Sequence, residues 1–387
     1  MSISETDKQY VANTYNRFPV ELVEGKGSFV KDSNGKKYID MGSGIGVTAF
    51  GLCDPEWQKA VTEQAAKLQH VSNLYFTEPC AKVARLLCEK TGMSKVFVSN
   101  SGAEANECAI KYARKYSAEK KGPEYFTIVT LNKSFHGRTL TTLSATGQDN
   151  FHSLFNPLTP GFAYADANDL EGLKKVALES KAAGIMIECV QGEGGVNPLA
   201  AEFVKGVYDF CNENDIVMIV DEVQTGNGRS GKLYSYMNFD VMPDVVTTAK
   251  GIAGGLPMGA TLVSKKMESV LGYGDHGSTY GGNPVCAAAA YSVLSRMDDA
   301  FLAEVSRNSK KIFDELEGAE GIEGVTGMGL MIGVKTVKPA IDVVKACIDK
   351  GVLFLTAKDK VRMLPALNIP DDLIDIAIKT LKEVCKN

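Results

Sequence analysis

Three features of the sequence predict an α/β fold with a mainly parallel sheet. Short β-branched runs such as Ile216-Val217-Met218-Ile219-Val220 and Val245-Val246-Thr247-Thr248 end abruptly in charge and glycine, as buried parallel strands do. From about residue 80 to 265, such runs alternate with helical segments, the pattern of a doubly wound sheet with helices on both faces. Beyond residue 285, shorter helices and strands form a compact α/β tail. The expected organisation is an N-terminal segment over 1–60 packing with the small domain, a large domain over 61–285, and a small domain over 286–387.

The 387 residues are enough for a large core in two domains. Hydrophobic residues at 44% and charged residues at 23% place the chain among ordinary soluble proteins. A net charge of −5 argues against nucleic acid or an anionic membrane as partner. No apolar run approaches the roughly 20 residues that span a bilayer. Met1-Ser2-Ile3-Ser4-Glu5-Thr6-Asp7-Lys8 lacks the apolar core of a signal peptide and the arginines of a presequence. The nine cysteines are scattered without a C-x-x-C pair, and Cys88, Cys108, Cys189 and Cys211 sit in apolar-periodic segments. A reducing cytoplasm is the expected setting. Four scattered histidines offer no metal cluster, so no metal is expected.

Taken in order, residues 25–40 read as a hairpin turning at Asn34-Gly35. Gly42-Ser43-Gly44-Ile45-Gly46 has the wrong spacing for a dinucleotide fingerprint and reads as a backbone-permissive loop. Pro55 opens a helix with Trp57, Val61, Ala65 and Leu68 on one face. A helix over 79–90 and a strand over 95–99 follow. Asn100-Ser101-Gly102-Ala103-Glu104-Ala105-Asn106-Glu107 then leads into a helix over 108–115. That step reads equally as a plain N-cap or as an anion pocket made of free N–H groups, a hydroxyl and the positive end of a helix dipole.

A strand over 126–130 runs into Ser134-Phe135-His136-Gly137-Arg138-Thr139, where an aromatic ring could stack on a flat ligand and an arginine could clamp a carboxylate. A strand over 184–190 ends at Gln191-Gly192-Glu193-Gly194-Gly195, and a helix covers 203–212. Gly226-Asn227-Gly228-Arg229-Ser230-Gly231-Lys232-Leu233 matches the spacing of a phosphate-binding loop. It lacks the Ser or Thr after lysine, and no clear helix follows, so nucleotide hydrolysis is rejected. A helix over 287–297, a flexible lead-in over 324–329, strands over 329–334 and 352–355, a helix over 341–349 and a final helix from Asp371 complete the tail. Arg362, on a strand-like run, is either a solvated edge residue or a buried carboxylate receptor.

Each polar cluster falls at the carboxyl end of a strand, where open α/β sheets bind ligands. Asp221 and Lys250 stand at two such ends. A carboxylate to hold a pyridinium nitrogen protonated and an amine to condense with an aldehyde are what a pyridoxal phosphate site needs.

Together with Gly277-Ser278-Thr279-Tyr280-Gly281-Gly282-Asn283-Pro284, these stretches occur in the order found in the class III (ornithine-type) aminotransferases, which the chain resembles from about Tyr15 to Pro365. The resemblance implies a fold type I transferase, large pyridoxal-phosphate domain and small domain, working as a homodimer with active sites at the subunit interface. It implies the cofactor on Lys250, Asp221 at its ring nitrogen and Gln224 at its ring hydroxyl. It also implies the phosphate on Ser101, Gly102 and Ala103, joined by Thr279 of the other subunit, with Phe135 stacked on the ring and His136 beside it. Arg138 would take the substrate α-carboxylate, with Tyr15 and Ser278 in the substrate site. Glu193 and Arg362 would pair when the donor has no distal acid and part when 2-oxoglutarate needs Arg362.

Within the family, the chain is most like the branch that takes N-acetylornithine as donor and forms glutamate from 2-oxoglutarate, a step of arginine biosynthesis. Ile45 stands where ornithine-using members carry a second tyrosine, and an apolar residue there leaves room for an acyl group. Free ornithine, succinylornithine, succinyldiaminopimelate, acyl-lysine and 4-aminobutyrate remain alternatives, since one acyl change is worth only a few kcal/mol in an apolar pocket. A decarboxylase or racemase on the same fold is a further one. The family's Gly-His-x-His-Pro segment is here Gly51-Leu52-Cys53-Asp54-Pro55, and only local repacking is expected from it.

Overall fold

The structure, a computed structural model, describes residues 1–386. Its centre is a seven-stranded sheet made of β1 (Lys95–Ser99), β2 (Thr127–Leu131), β3 (Phe162–Ala165), β4 (Ala182–Ile187), β5 (Val217–Asp221), β6 (Val245–Thr248) and β7 (Gly259–Val263). The order is β1-β7-β6-β5-β4-β2-β3. Only β7 runs antiparallel to its neighbours; the pairings of β2 through β6 are parallel.

Alternation along each strand sorts its side chains to two faces. Ile128, Met186, Val217, Ile219, Val245 and Val263 pack with Cys108, Ala109, Tyr112, Ala113 and Tyr116 of the helix Gly102–Lys121. Their neighbours Val129, Ile185, Ile187, Met218, Val220 and Val246 turn to the other face, joining the helices Leu170–Glu179 and Ala201–Glu213. A sheet covered on both faces excludes water from its strands. Ligand contacts are therefore left to the ends of those strands.

Two smaller four-stranded sheets and a two-stranded ladder of Val190–Gln191 with Asn197–Pro198 accompany the central sheet. Leu22–Lys26, Phe29–Asp32 and Lys37–Asp40 form antiparallel ladders, and Val352–Leu353 adds to Lys37–Asp40 in parallel. Ile322–Met328, Met331–Thr336, Lys360–Met363 and Leu355–Ala357 form the other.

Several local expectations need correction. The helix expected over 108–115 spans Gly102–Lys121, because Ser101 caps it by accepting a hydrogen bond from the Glu104 amide. The lead-in over 324–329 lies, up to Met328, in the strand Ile322–Met328, where Gly324 to Met328 each pair with a residue of Met331–Thr336. The strand over 352–355 is two strands, split at the buried Phe354 and shared between the two small sheets. The strand–helix alternation lapses between β5 and β6, which are joined by a long loop with one 3₁₀ turn, Ser235–Asn238. Strand β3 and helix Leu170–Glu179 escaped the sequence reading altogether. Among the described residues, no helix is long and apolar enough to cross a membrane.

Candidate active site

Asp221 ends β5 and is paired with Thr247 of β6, and Lys250 stands two residues past the last residue of β6, Thr248. Adjacent parallel strands thus bring a carboxylate and an amine to one edge of the sheet. Lys250 has φ +44° and opens a 3₁₀ turn, Lys250–Ala253. That left-handed value is uncommon for a residue with a Cβ, and here the surroundings fix it. Asn227 Nδ2 donates to Ala249 O at 3.0 Å, and Trp57 Nε1 donates to Ala253 O at 2.9 Å.

A cavity of about 440 Å³ opens at this edge. Ser101, Gly102 and Ala103, at the start of a 20-residue helix, line one side. Phe135, His136 and Arg138 come from the loop after β2, and Asp221, Gln224 and Lys250 complete the walls. Gly102 is required by close packing, since a Cβ there would stand 2.7 Å from Val223 Cγ1.

Asp221 is almost fully buried and held from three directions. Its Oδ2 accepts from Asn106 Nδ2 at 2.8 Å and stands 2.8 Å from His136 Nδ1, while Oδ1 accepts from the Val223 amide at 3.0 Å. Burial alone would pull the His136 pKa down. The hydrogen bond and charge of Asp221, with the charge of Glu188, outweigh it and raise the imidazole above its usual value. Glu188, buried on the same wall, accepts from the Phe135 amide at 2.9 Å, and burial pushes its carboxyl up to about 7. Burial lowers the Lys250 amine, against the opposing pull of Glu193, Asp221 and Glu188. A lysine so placed reaches its neutral, nucleophilic form more readily than one in water.

Arg362 is 4% exposed. Its Nη1 donates to Glu193 Oε1 at 2.6 Å and to Gln224 Oε1 at 3.2 Å, and Gln224 Nε2 donates to the same Glu193 oxygen at 3.2 Å. Burial raises the Glu193 carboxyl, but Arg362 and Lys250 prevail and hold it below its usual range. The arginine is therefore buried and paired, which corrects the reading of it as a solvated edge residue.

Other residues named from the sequence lie apart from this cavity within the chain. Ser278 accepts from Asn100 Nδ2 at 3.0 Å. Thr279 is exposed, and Tyr15, 74% exposed, lies under the Arg17 guanidinium. Four contributors were missed: Asn106, Glu188, Asn227 and Trp57. Asn106 sits one turn into its helix, which the late predicted start concealed, and the other three act through contacts far apart in sequence.

An amine, a buried carboxylate, an aromatic ring and a capped helix N-terminus converge on one cavity, a donor set that fits an aromatic aldehyde phosphate. A phosphate suits the helix start, where free amides and the dipole favour an anion. The buried Nε2 of His136 has no partner within the described protein.

Comparison with known proteins points the same way. The sequence profile of aminotransferase class-III matches residues 10–385. An acetylornithine aminotransferase of Haemophilus ducreyi is 47% identical over 99% of this chain and 98% of its own length. One from Methanocaldococcus jannaschii is 43% identical over 98% and 97%. The N-acetylornithine aminotransferase structure from Stenotrophomonas maltophilia superposes with a TM-score of 0.84 at 34% identity, covering 98% and 97% of the two chains. The ornithine aminotransferase from Toxoplasma gondii, with partial occupancy of pyridoxal phosphate at its active site, gives 0.94 at 30% identity, covering 99% and 93%.

Proposed function

This chain belongs to the class-III aminotransferases, pyridoxal-phosphate enzymes, and from that premise we propose that it moves the δ-amino group of N-acetylornithine to 2-oxoglutarate, yielding N-acetylglutamate 5-semialdehyde and glutamate in arginine biosynthesis. The observation that carries this reading is the buried Arg362–Glu193 pair, bonded to the cavity residue Gln224 and within reach of the charge on the Lys250 amine. One substrate bears a distal acid and the other does not, and a receptor that can be covered or bared suits that alternation. The apolar Ile45 and the names of the relatives favour the acylated donor.

Lys250 would hold the cofactor, Asp221 would face its ring nitrogen, Phe135 its ring face and Gln224 its hydroxyl. Ser101, Gly102 and Ala103 would meet its phosphate. Pyridoxal phosphate supplies an aldehyde that carries the amino group and a ring that accepts the electron pair left when Cδ loses its proton. The chain's own residues do the remainder. Lys250 Nζ, freed once the donor amine has taken its place and with its pKa lowered by burial, would take the proton from Cδ of the donor. Asp221, fixed by Asn106 and the Val223 amide, would hold its carboxyl group at one place beside the ring nitrogen. Arg138, its guanidinium 4.2 Å from the Phe151 ring centroid, is held ready for an α-carboxylate.

A homodimer is part of the proposal. Tyr15 and Thr279 would act at the partner's cavity, and Leu74, Tyr75 and Phe76, all strongly exposed, suit a buried subunit contact. The same reading keeps the division at residues 60 and 285 and a cytoplasmic setting, for which the nine free cysteines are the support. Glutamate formation from 2-oxoglutarate, assayed with N-acetylornithine and with ornithine as donor, tests the substrate choice. Faster turnover of ornithine would defeat it.

A further inference from the structure

The glycine-rich loop over 226–231 has no part in the chemistry above, yet Asn227 and Arg229 are each only 2% exposed. Asn227 faces the lysine turn. Its Nδ2 donates to Thr248 Oγ1 at 2.9 Å and Ala249 O at 3.0 Å, the two residues before Lys250. Arg229 faces the opposite way. Its Nη1 donates to Leu330 O at 3.1 Å and to Pro365 O at 2.6 Å, and its own carbonyl accepts from the Leu330 amide at 2.9 Å. Pro365 lies just past the strand that carries Arg362.

The glycines make this contact close. Gly228 has φ +86°, and a Cβ there would stand 2.9 Å from Leu367. Gly329, also left-handed, lies against the Arg229 carbonyl with no room for a side chain. The loop bearing Ile45 joins the same node. Gly46 leaves space beside the guanidinium, Ser43 donates its hydroxyl to Leu364 O, and the Leu364 amide donates to Met41 O at 2.7 Å.

Among the described residues, no carboxylate pairs with Arg229, and burial pulls its pKa down to about 9. A cation in such a place is costly, and an apolar side chain of similar volume often stabilises a core at least as well. What the guanidinium adds is direction: one nitrogen reaching two carbonyls on separate segments.

We propose that this loop is a bracket that sets the spacing between the two working arms of the site, Asn227 being the positioning residue for the Lys250 turn and Arg229 the positioning residue for the Arg362 strand. The Arg229 half rests on the reading of Arg362 as receptor for the distal carboxylate. A shift of the strand by a fraction of an ångström would then fall on dicarboxylate recognition, and a shift of the turn on proton transfer.

The test compares R229M, R229K and N227A with the unaltered enzyme and with R362A. Glutarate, a dicarboxylate that cannot react, is titrated by calorimetry into the cofactor-loaded proteins, and KM and kcat are measured for both substrates. R229M is expected to weaken glutarate and raise the 2-oxoglutarate KM about tenfold or more, with the donor KM nearly unchanged. R229K should recover part of the loss. N227A should lower kcat with either substrate by about tenfold while glutarate still binds normally.

Unchanged glutarate affinity in R229M would overturn the proposal. So would a parallel loss for both substrates that R229K does not relieve. If R362A itself binds glutarate normally, the receptor reading fails instead, and amide exchange over 362–367 judges the bracket. Faster exchange there in R229M, with the rest of the chain unchanged, supports it, and equal exchange overturns it.

Discussion

Asp221 Oδ2 stands 2.8 Å from His136 Nδ1, with the imidazole fully buried and the carboxylate side chain 4% exposed. The pair joins the end of β5 to the loop after β2, so the residue proposed to face the cofactor's ring nitrogen is oriented by the neighbour of the residue proposed to face its ring. D221N should remove the interaction that lifts the His136 pKa and leave burial to lower it. NMR titration of the imidazole in the apoenzyme checks the direction. Turnover in D221N should fall by roughly a hundredfold or more, as for loss of a charge acting in the transition state.

Stability should depend on pH through the same wall. The folded-state pKa of His136 is raised, so its contribution is fully present below about 6.5 and is lost as pH rises through the folded value. Glu188 acts in the same sense. Its pKa rises from 4.5 to about 7 on folding, so the folded chain holds a proton that the unfolded chain releases within that window. The melting temperature of the apoenzyme should therefore decline as pH rises from about 4.5 through 7, and E188Q should flatten that decline. A profile of equal slope in E188Q would contradict the assignment.

Covering and baring Arg362 should be separable by mutation. E193Q removes the charge that pairs with Arg362 while keeping a side chain of the same size. The 2-oxoglutarate KM should fall or hold, and the KM for N-acetylornithine should rise by about tenfold, since the unpaired guanidinium then faces a donor with no distal acid. Steady-state kinetics with each substrate varied in turn decides it.

The departure at Asp54 has a structural purpose. Asp54 accepts from the Trp57 amide at 2.9 Å to cap the helix Pro55–Lys67, and its two oxygens receive Arg296 at 3.1 and 2.7 Å. D54A should lose about 1–3 kcal/mol from the cap and the half-buried pair together. Denaturant unfolding should show that loss. Turnover at saturating substrate should change little, unless the Trp57–Ala253 bond to the lysine turn is disturbed with it.

The sheet and the cofactor cavity were legible because their signals are local. A β-branched run ending at Asp221, another two residues short of Lys250, and a serine–glycine step before a helix each state their role within ten residues. The bonds that hold these groups were not legible. Trp57 reaches Ala253, Asn106 reaches Asp221, and Arg229 reaches Pro365 only once the chain has folded. The loop over 226–231 shows the difference best. Its glycines looked like a failed phosphate loop, and in the structure Gly228 and Gly231 let the side chains of Leu367 and Ser306 close on the backbone beside a buried arginine. The strand Ile322–Met328 was misread for a related reason, since glycine signals freedom locally while an antiparallel partner supplies the order.

The most direct test follows the visible absorbance of the purified, cofactor-loaded enzyme while N-acetylornithine, ornithine and 4-aminobutyrate are added separately, with no oxo acid present. The account predicts that N-acetylornithine abolishes the band of the lysine-bound cofactor, that 2-oxoglutarate then restores it, and that K250A shows no such cycle. Bleaching by ornithine or 4-aminobutyrate in preference would contradict the assigned donor. A band that none of the three amines changes would contradict the role given to this site.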